Sequence, residues 1–97
     1  MGAARPAENG FSVRQPVMKG AAIIDRVESC EIRCFIRDMD AQGAEISVGS
    51  EVGLPPEFLL YVPHKGVVYR ASLRWREGAR AEVEFSGTEP KPHWHYG

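Results

Sequence analysis

The segment Arg37-Asp38-Met39-Asp40-Ala41-Gln42-Gly43-Ala44 holds the residue types and spacing in this 97-residue chain that are best suited to chemistry. Asp38 is placed to cap a turn with its carboxylate. Gly43 is placed to take a positive φ or to let a ligand come close to the backbone. Arg37 is expected to point outward beside that turn, on the same face as Arg33. An ordinary hairpin turn accounts for the same Asp and Gly, and strand solubility accounts for the arginines, so both readings stay open.

Other reactive residues are scattered. His93 and His95 invite a metal reading, but they lie on a terminus with no carboxylate nearby and neither Cys30 nor Cys34 is expected to be exposed. Trp94 and Tyr96 suit packing over a barrel end or a partner. His64 falls in a turn over 63–66 with no acid or nucleophile beside it. Arg70, Arg74 and Arg76, with Lys65 and Arg80, form a basic stripe that could dock an acidic partner surface or pair with Glu82 and Glu84. No paired carboxylates, nucleophile with base, or metal set shares a site. The expectation is binding rather than catalysis, with no cofactor and no metal.

Positioning these groups calls for strands. Cys30, Ile32, Cys34 and Ile36 alternate with Glu31, Arg33, Phe35 and Arg37, the period of a strand with one buried face. Residues 67–76 alternate in the same way, with Val67, Tyr69, Ala71, Leu73 and Trp75 on one side, and Ala81, Val83 and Phe85 give another strand. Glu77, Gly78 and Ala79 read as a three-residue hairpin loop that would set Arg74 opposite Glu82. Weaker strands fall at 18–26, 44–48 and 58–62. No window shows a helical stripe. The fold class expected is all-β, a small six-stranded antiparallel β-barrel over 17–87, with flexible arms at 1–16 and 88–97.

Size and charge narrow the function. A chain of 97 residues has one core and needs most of its apolar side chains for it. Twelve Lys and Arg against thirteen Asp and Glu lack the broad positive field of a nucleic-acid binder, and no apolar run is long enough for a membrane helix. The first ten residues lack the makeup of a signal peptide, and Cys30 and Cys34, about 13 Å apart in an extended strand, read as reduced thiols. A cytoplasmic location is expected.

The stretch Cys34-Phe35-Ile36-Arg37-Asp38-Met39-Asp40-Ala41-Gln42-Gly43-Ala44-Glu45-Ile46 resembles the Asp/Asn-x-Ser-x-x-Gly signature of bacterial PilZ domains, which serve cyclic di-GMP signalling. Asp38 and Gly43 match it, and Asp40 stands where the family has serine. Leu54-Pro55-Pro56-Glu57-Phe58-Leu59-Leu60, then Ala71-Ser72-Leu73-Arg74-Trp75-Arg76, then Ala81-Glu82-Val83-Glu84-Phe85 follow in the family's order, with Glu82 in place of a glycine. The likeness covers residues 17–87.

The resemblance implies a split barrel and a non-catalytic regulatory role. It also implies a cyclic di-GMP site shared between the turn and an Arg-x-x-x-Arg segment before the first strand. Here that segment is Arg14-Gln15-Pro16-Val17-Met18-Lys19, with one arginine and a lysine five positions on. A lysine does not reproduce the forked, stacking recognition of a guanidinium, and the Asp40 carboxylate repels phosphate. The expectation is therefore an adaptor that works through a protein partner, with weak or no nucleotide binding. A competent receptor would use Arg14, Lys19 and Arg37 with Asp38, Asp40 and Gly43. The third possibility is a small nucleic-acid-binding barrel, for which Phe35 between Arg33 and Arg37 is the motif.

Overall fold

A computed structural model describes residues 14–90, of which Gln15 is described by its backbone only. These residues contain no helix and form six strands: β1 (Gln15–Asp25), β2 (Cys30–Met39), β3 (Gly43–Ser47), β4 (Glu57–Val62), β5 (Val67–Glu77) and β6 (Arg80–Glu89). All pairings are antiparallel, and the order β1-β2-β3-β6-β5-β4 closes on itself as a barrel. Expected and observed strands agree in number and type. β1 starts earlier than the pattern suggested, inside the expected N-terminal arm, and β6 runs past residue 87.

Alternation drives the closure. Ile23, Ile36, Ile46, Leu60, Val62 and Val83 are fully buried, one or two from each of five strands, and they meet in one interior cluster with Met39 and Phe58. Burying such side chains contributes about 1.5–3 kcal/mol each before chain entropy is counted. Tyr69 and Phe85 stack across β5 and β6 with ring centroids 4.1 Å apart, closing one flank of that core. The crossover from β3 to β4 has no partner strand, and Arg76 holds it by donating to the carbonyls of Gly49 and Val52, each at 2.9 Å.

Bulges change which way the side chains face. The β5–β6 connection is a two-residue turn, Gly78-Ala79, with Gly78 at φ +59 and Glu77 opposite Arg80. The expected three-residue loop is thus corrected, because glycine first in a two-residue loop suits the twist of a hairpin. An extra residue at Arg74 then places Trp75, not Arg74, opposite Glu82. Trp75 is consequently 44 % exposed rather than on the buried face. β1 bulges between Pro16 and Lys19, with Met18 at φ 51.

Candidate functional site

The β2–β3 turn is built on Asp40. Its Oδ1 accepts the backbone N–H groups of Gln42 at 2.7 Å and Gly43 at 2.9 Å, while its own N–H donates to the Gly43 carbonyl at 2.9 Å. Asp38 was expected to be the cap, but it lies inside β2 opposite Glu45, too far back for this bonding pattern. Asp40 stands two and three residues before the N–H groups it holds. The turn is also tied to β6, since Phe85 N–H donates to the Gln42 carbonyl at 2.7 Å.

Gly43 has an ordinary negative-side backbone, so the positive φ is corrected and close approach is its role. Gly43 pairs with Glu84, and a Cβ there would collide with the Val83 carbonyl oxygen. The Arg14 guanidinium is close as well, with Nη2 3.4 Å from where that Cβ would be. Glycine lets β6 and Arg14 both close on the turn.

Arg14 is surrounded by carboxylates. Its two terminal nitrogens reach Glu82 at 3.0 and 2.5 Å, NH1 also reaches Asp38 Oδ1 at 3.1 Å, and Nε reaches Asp40 Oδ2 at 3.3 Å. The group is part-buried, with 29 % of the Arg14 side chain, 14 % of Asp40 and 22 % of Glu82 exposed. Hydrogen bonding to Glu82, opposed by burial and helped by the Glu82 charge, by the hydrogen bond to Asp38 and by the Asp40 charge, raises the already high pKa of Arg14 further. Three carboxylates around one guanidinium leave a net of two negative charges. They enclose the arginine, and no group of three or more His, Cys, Asp and Glu among the described residues is arranged to hold a metal ion.

Of the six site residues expected from sequence, Arg14, Asp38, Asp40 and Gly43 come together, and Lys19 and Arg37 do not join them. Lys19 follows the β1 bulge and is exposed, with no ion pair among the described residues. Arg37 turns to Glu45 at 3.7 Å. Glu45 also accepts from Arg80 Nε at 2.5 Å, and that bond, with the Arg80 and Arg37 charges, holds its carboxyl below the usual carboxylate range. Glu82, the residue that completes the cage, lies 68 positions from Arg14 and was legible only as a departure from a family glycine.

The arginines of the basic stripe are paired internally, whereas Lys65 is exposed with no ion pair among the described residues. Arg70 faces Glu89 at 3.5 Å, Arg74 donates to Glu84 at 3.0 Å, Arg76 serves backbone carbonyls and Arg80 serves Glu45. Neither a phosphate nor an acidic surface meets free guanidinium groups there. His64 is exposed in its turn, and the tail residues His93, Trp94, His95 and Tyr96 lie outside the described residues.

The two cysteines differ, because β2 runs beyond the barrel at its start. Cys30 is exposed, against expectation, whereas Cys34 is buried and its thiol is pushed up to about 12 by that burial. Titration with a chromogenic disulfide should therefore modify one thiol at once and the second only on unfolding. Two fast equivalents would contradict the placement of Cys34. The folded pKa of Cys34 is raised, so its contribution to stability is complete below the unfolded value of roughly 8.5 and declines as pH rises above it. Cys34→Ala should flatten that alkaline decline in melting temperature.

Compared with family models, with curated proteins and with solved structures, the chain finds no match in any of the three.

Proposed function

We propose that this chain is a PilZ-like regulatory module of cyclic di-GMP signalling that acts through contacts with a partner protein, without catalysis and with its nucleotide face closed by its own ion pairs. The family reading rests on the order and spacing of the turn motif and of the segments after it. The observation that carries the adaptor reading is the Arg14 cage. Arg14, the one arginine of the segment from Arg14 to Lys19, is already bound by Glu82, Asp38 and Asp40. A dianionic nucleotide would have to displace a bidentate carboxylate and enter a site of its own charge sign. Lys19 and Arg37, the remaining cations of a receptor clamp, stand apart from it.

Isothermal titration with cyclic di-GMP at physiological salt is the test, run on the chain and on Arg14→Ala. No heat and no rise in melting temperature up to about 1 mM nucleotide is expected; a ligand at a hundred times its dissociation constant would add roughly 2.7 kcal/mol. Micromolar binding that Arg14→Ala abolishes would establish a competent receptor and sink the adaptor reading.

A further inference from the structure

Gly20 sits mid-strand in β1 with no structural reason to be glycine. Its φ is not positive, and a Cβ added there would meet nothing within 4 Å. Glycine inside a strand weakens it, and where no bulge or neighbouring backbone requires it, the remaining use is to leave room for something else. The bulge of β1 lies before this position, between Pro16 and Lys19.

The space above Gly20 is part of an open groove of about 960 Å³ lined by residues of β1, β2, β3 and β4, by the loop residues Gly49 and Pro63 and by Ala79 of the β5–β6 turn. Phe35 stands directly across from Gly20 on β2 and has Ser47 on its other side, so its ring is flanked by small residues and is 44 % exposed. One step along, Arg33 lies across from Ala22, which in turn pairs with Tyr61. Arg33 is the one arginine among the described residues with no carboxylate or carbonyl partner. Each of the others, from Arg14 to Arg80, has one. An exposed ring, a gap beside it and an uncommitted guanidinium thus share one face.

We infer that this groove docks an acidic segment of a partner protein, which inserts an aromatic side chain over Gly20 against Phe35 and sets a carboxylate on Arg33. Ring-on-ring packing and a forked guanidinium–carboxylate contact are the interactions this lining offers. Strand addition is not the mode, because Pro16, the bulge and Lys19 guard the stretch of β1 that extends beyond its pairing with β4. A nucleic acid fits less well. It needs several free cations, whereas Arg33 is the one lysine or arginine in this lining and Arg37 is engaged by Glu45. The inference rests on the reading that the domain works through protein contacts, and names the surface.

The test is an amide-resonance titration of the full chain with the capped peptide Glu-Asp-Trp-Glu-Asp, alongside its Lys-Arg-Trp-Arg-Lys counterpart and a thymidine decanucleotide. Shifts confined to Gly20, Ala22, Arg33, Phe35 and Ser47 with the acidic peptide are expected. Gly20→Leu should abolish them while raising the melting temperature by about 2–6 °C, since it fills space and stiffens the strand. Arg33→Glu should weaken the acidic peptide at least tenfold and favour the basic one. Gly20→Ala provides a milder plug should the leucine perturb folding. Shifts elsewhere on the barrel, or none at millimolar peptide, would overturn the groove and leave the adaptor reading standing. Stronger binding of the oligonucleotide in the groove would overturn both.

Discussion

Gly43→Ala should destabilise the domain by about 1.2 kcal/mol, lowering the melting temperature by roughly 5–10 °C. An added methyl at this position collides with the Val83 carbonyl, and that oxygen is backbone in a paired strand, so no rotamer change relieves it. Either β3 and β6 separate or the turn tilts. Overpacking of this kind costs about 1–3 kcal/mol, offset in part by the roughly 0.5–1 kcal/mol that alanine gains over glycine in the unfolded chain. Urea unfolding monitored by circular dichroism measures it: the midpoint should fall with the slope unchanged. Gly20→Ala is the matched control, because the same methyl there enters open space and should stabilise. If both substitutions shift the midpoint in the same direction, close approach of β6 is not what Gly43 provides.

The contrast between those two glycines marks what the sequence does and does not carry. Period-two alternation through Cys34 and Ile36, through Tyr69 and Ala71, and through Ala81 and Val83 is enough to specify three strands and one interior face, because alternation is what a half-buried sheet requires, whereas β1, β3 and β4 read more weakly, from apolar runs between turn signals. Bulges leave no such trace. One extra residue at Arg74 reverses the facing of everything beyond it, and Trp75 looks like a core residue until the register is known. Pairing across the barrel is equally hidden. Arg14 reads as a free phosphate ligand because its partner Glu82 arrives 68 positions later on a strand that reaches it only after the barrel has closed. The turn itself was legible, but its cap was assigned two residues early, since Asp38 and Asp40 are the same residue type and only the bonds to Gln42 and Gly43 distinguish them.

The Arg14 cage supplies the second large effect, on stability and on ligand binding together. Removing the guanidinium by Arg14→Ala leaves Asp38, Asp40 and Glu82 facing one another with no counter-charge. Exposed ion pairs are worth up to about 1 kcal/mol, whereas breaking a buried one costs about 3–5, and this part-buried cluster falls between them at about 2 kcal/mol. Glu82→Gln should cost less, because Arg14 keeps two carboxylates and loses only charge from the third. Salt separates repulsion from lost packing. Between about 0.05 and 0.5 M sodium chloride, the Arg14→Ala variant should gain stability as repulsion is screened, while the parent chain should not. Opening the cage without emptying it makes the functional counterpart: Asp40→Ser with Glu82→Gln removes two negative charges, keeps a hydroxyl to accept the Gln42 N–H, and frees the Arg14 fork. That double variant should acquire cyclic di-GMP binding, weak but measurable by titration, where the parent is expected to show none. If it stays silent while remaining folded, the carboxylates are not the barrier to the nucleotide, and the lack of a second arginine in the segment from Arg14 to Lys19 is sufficient to explain that silence.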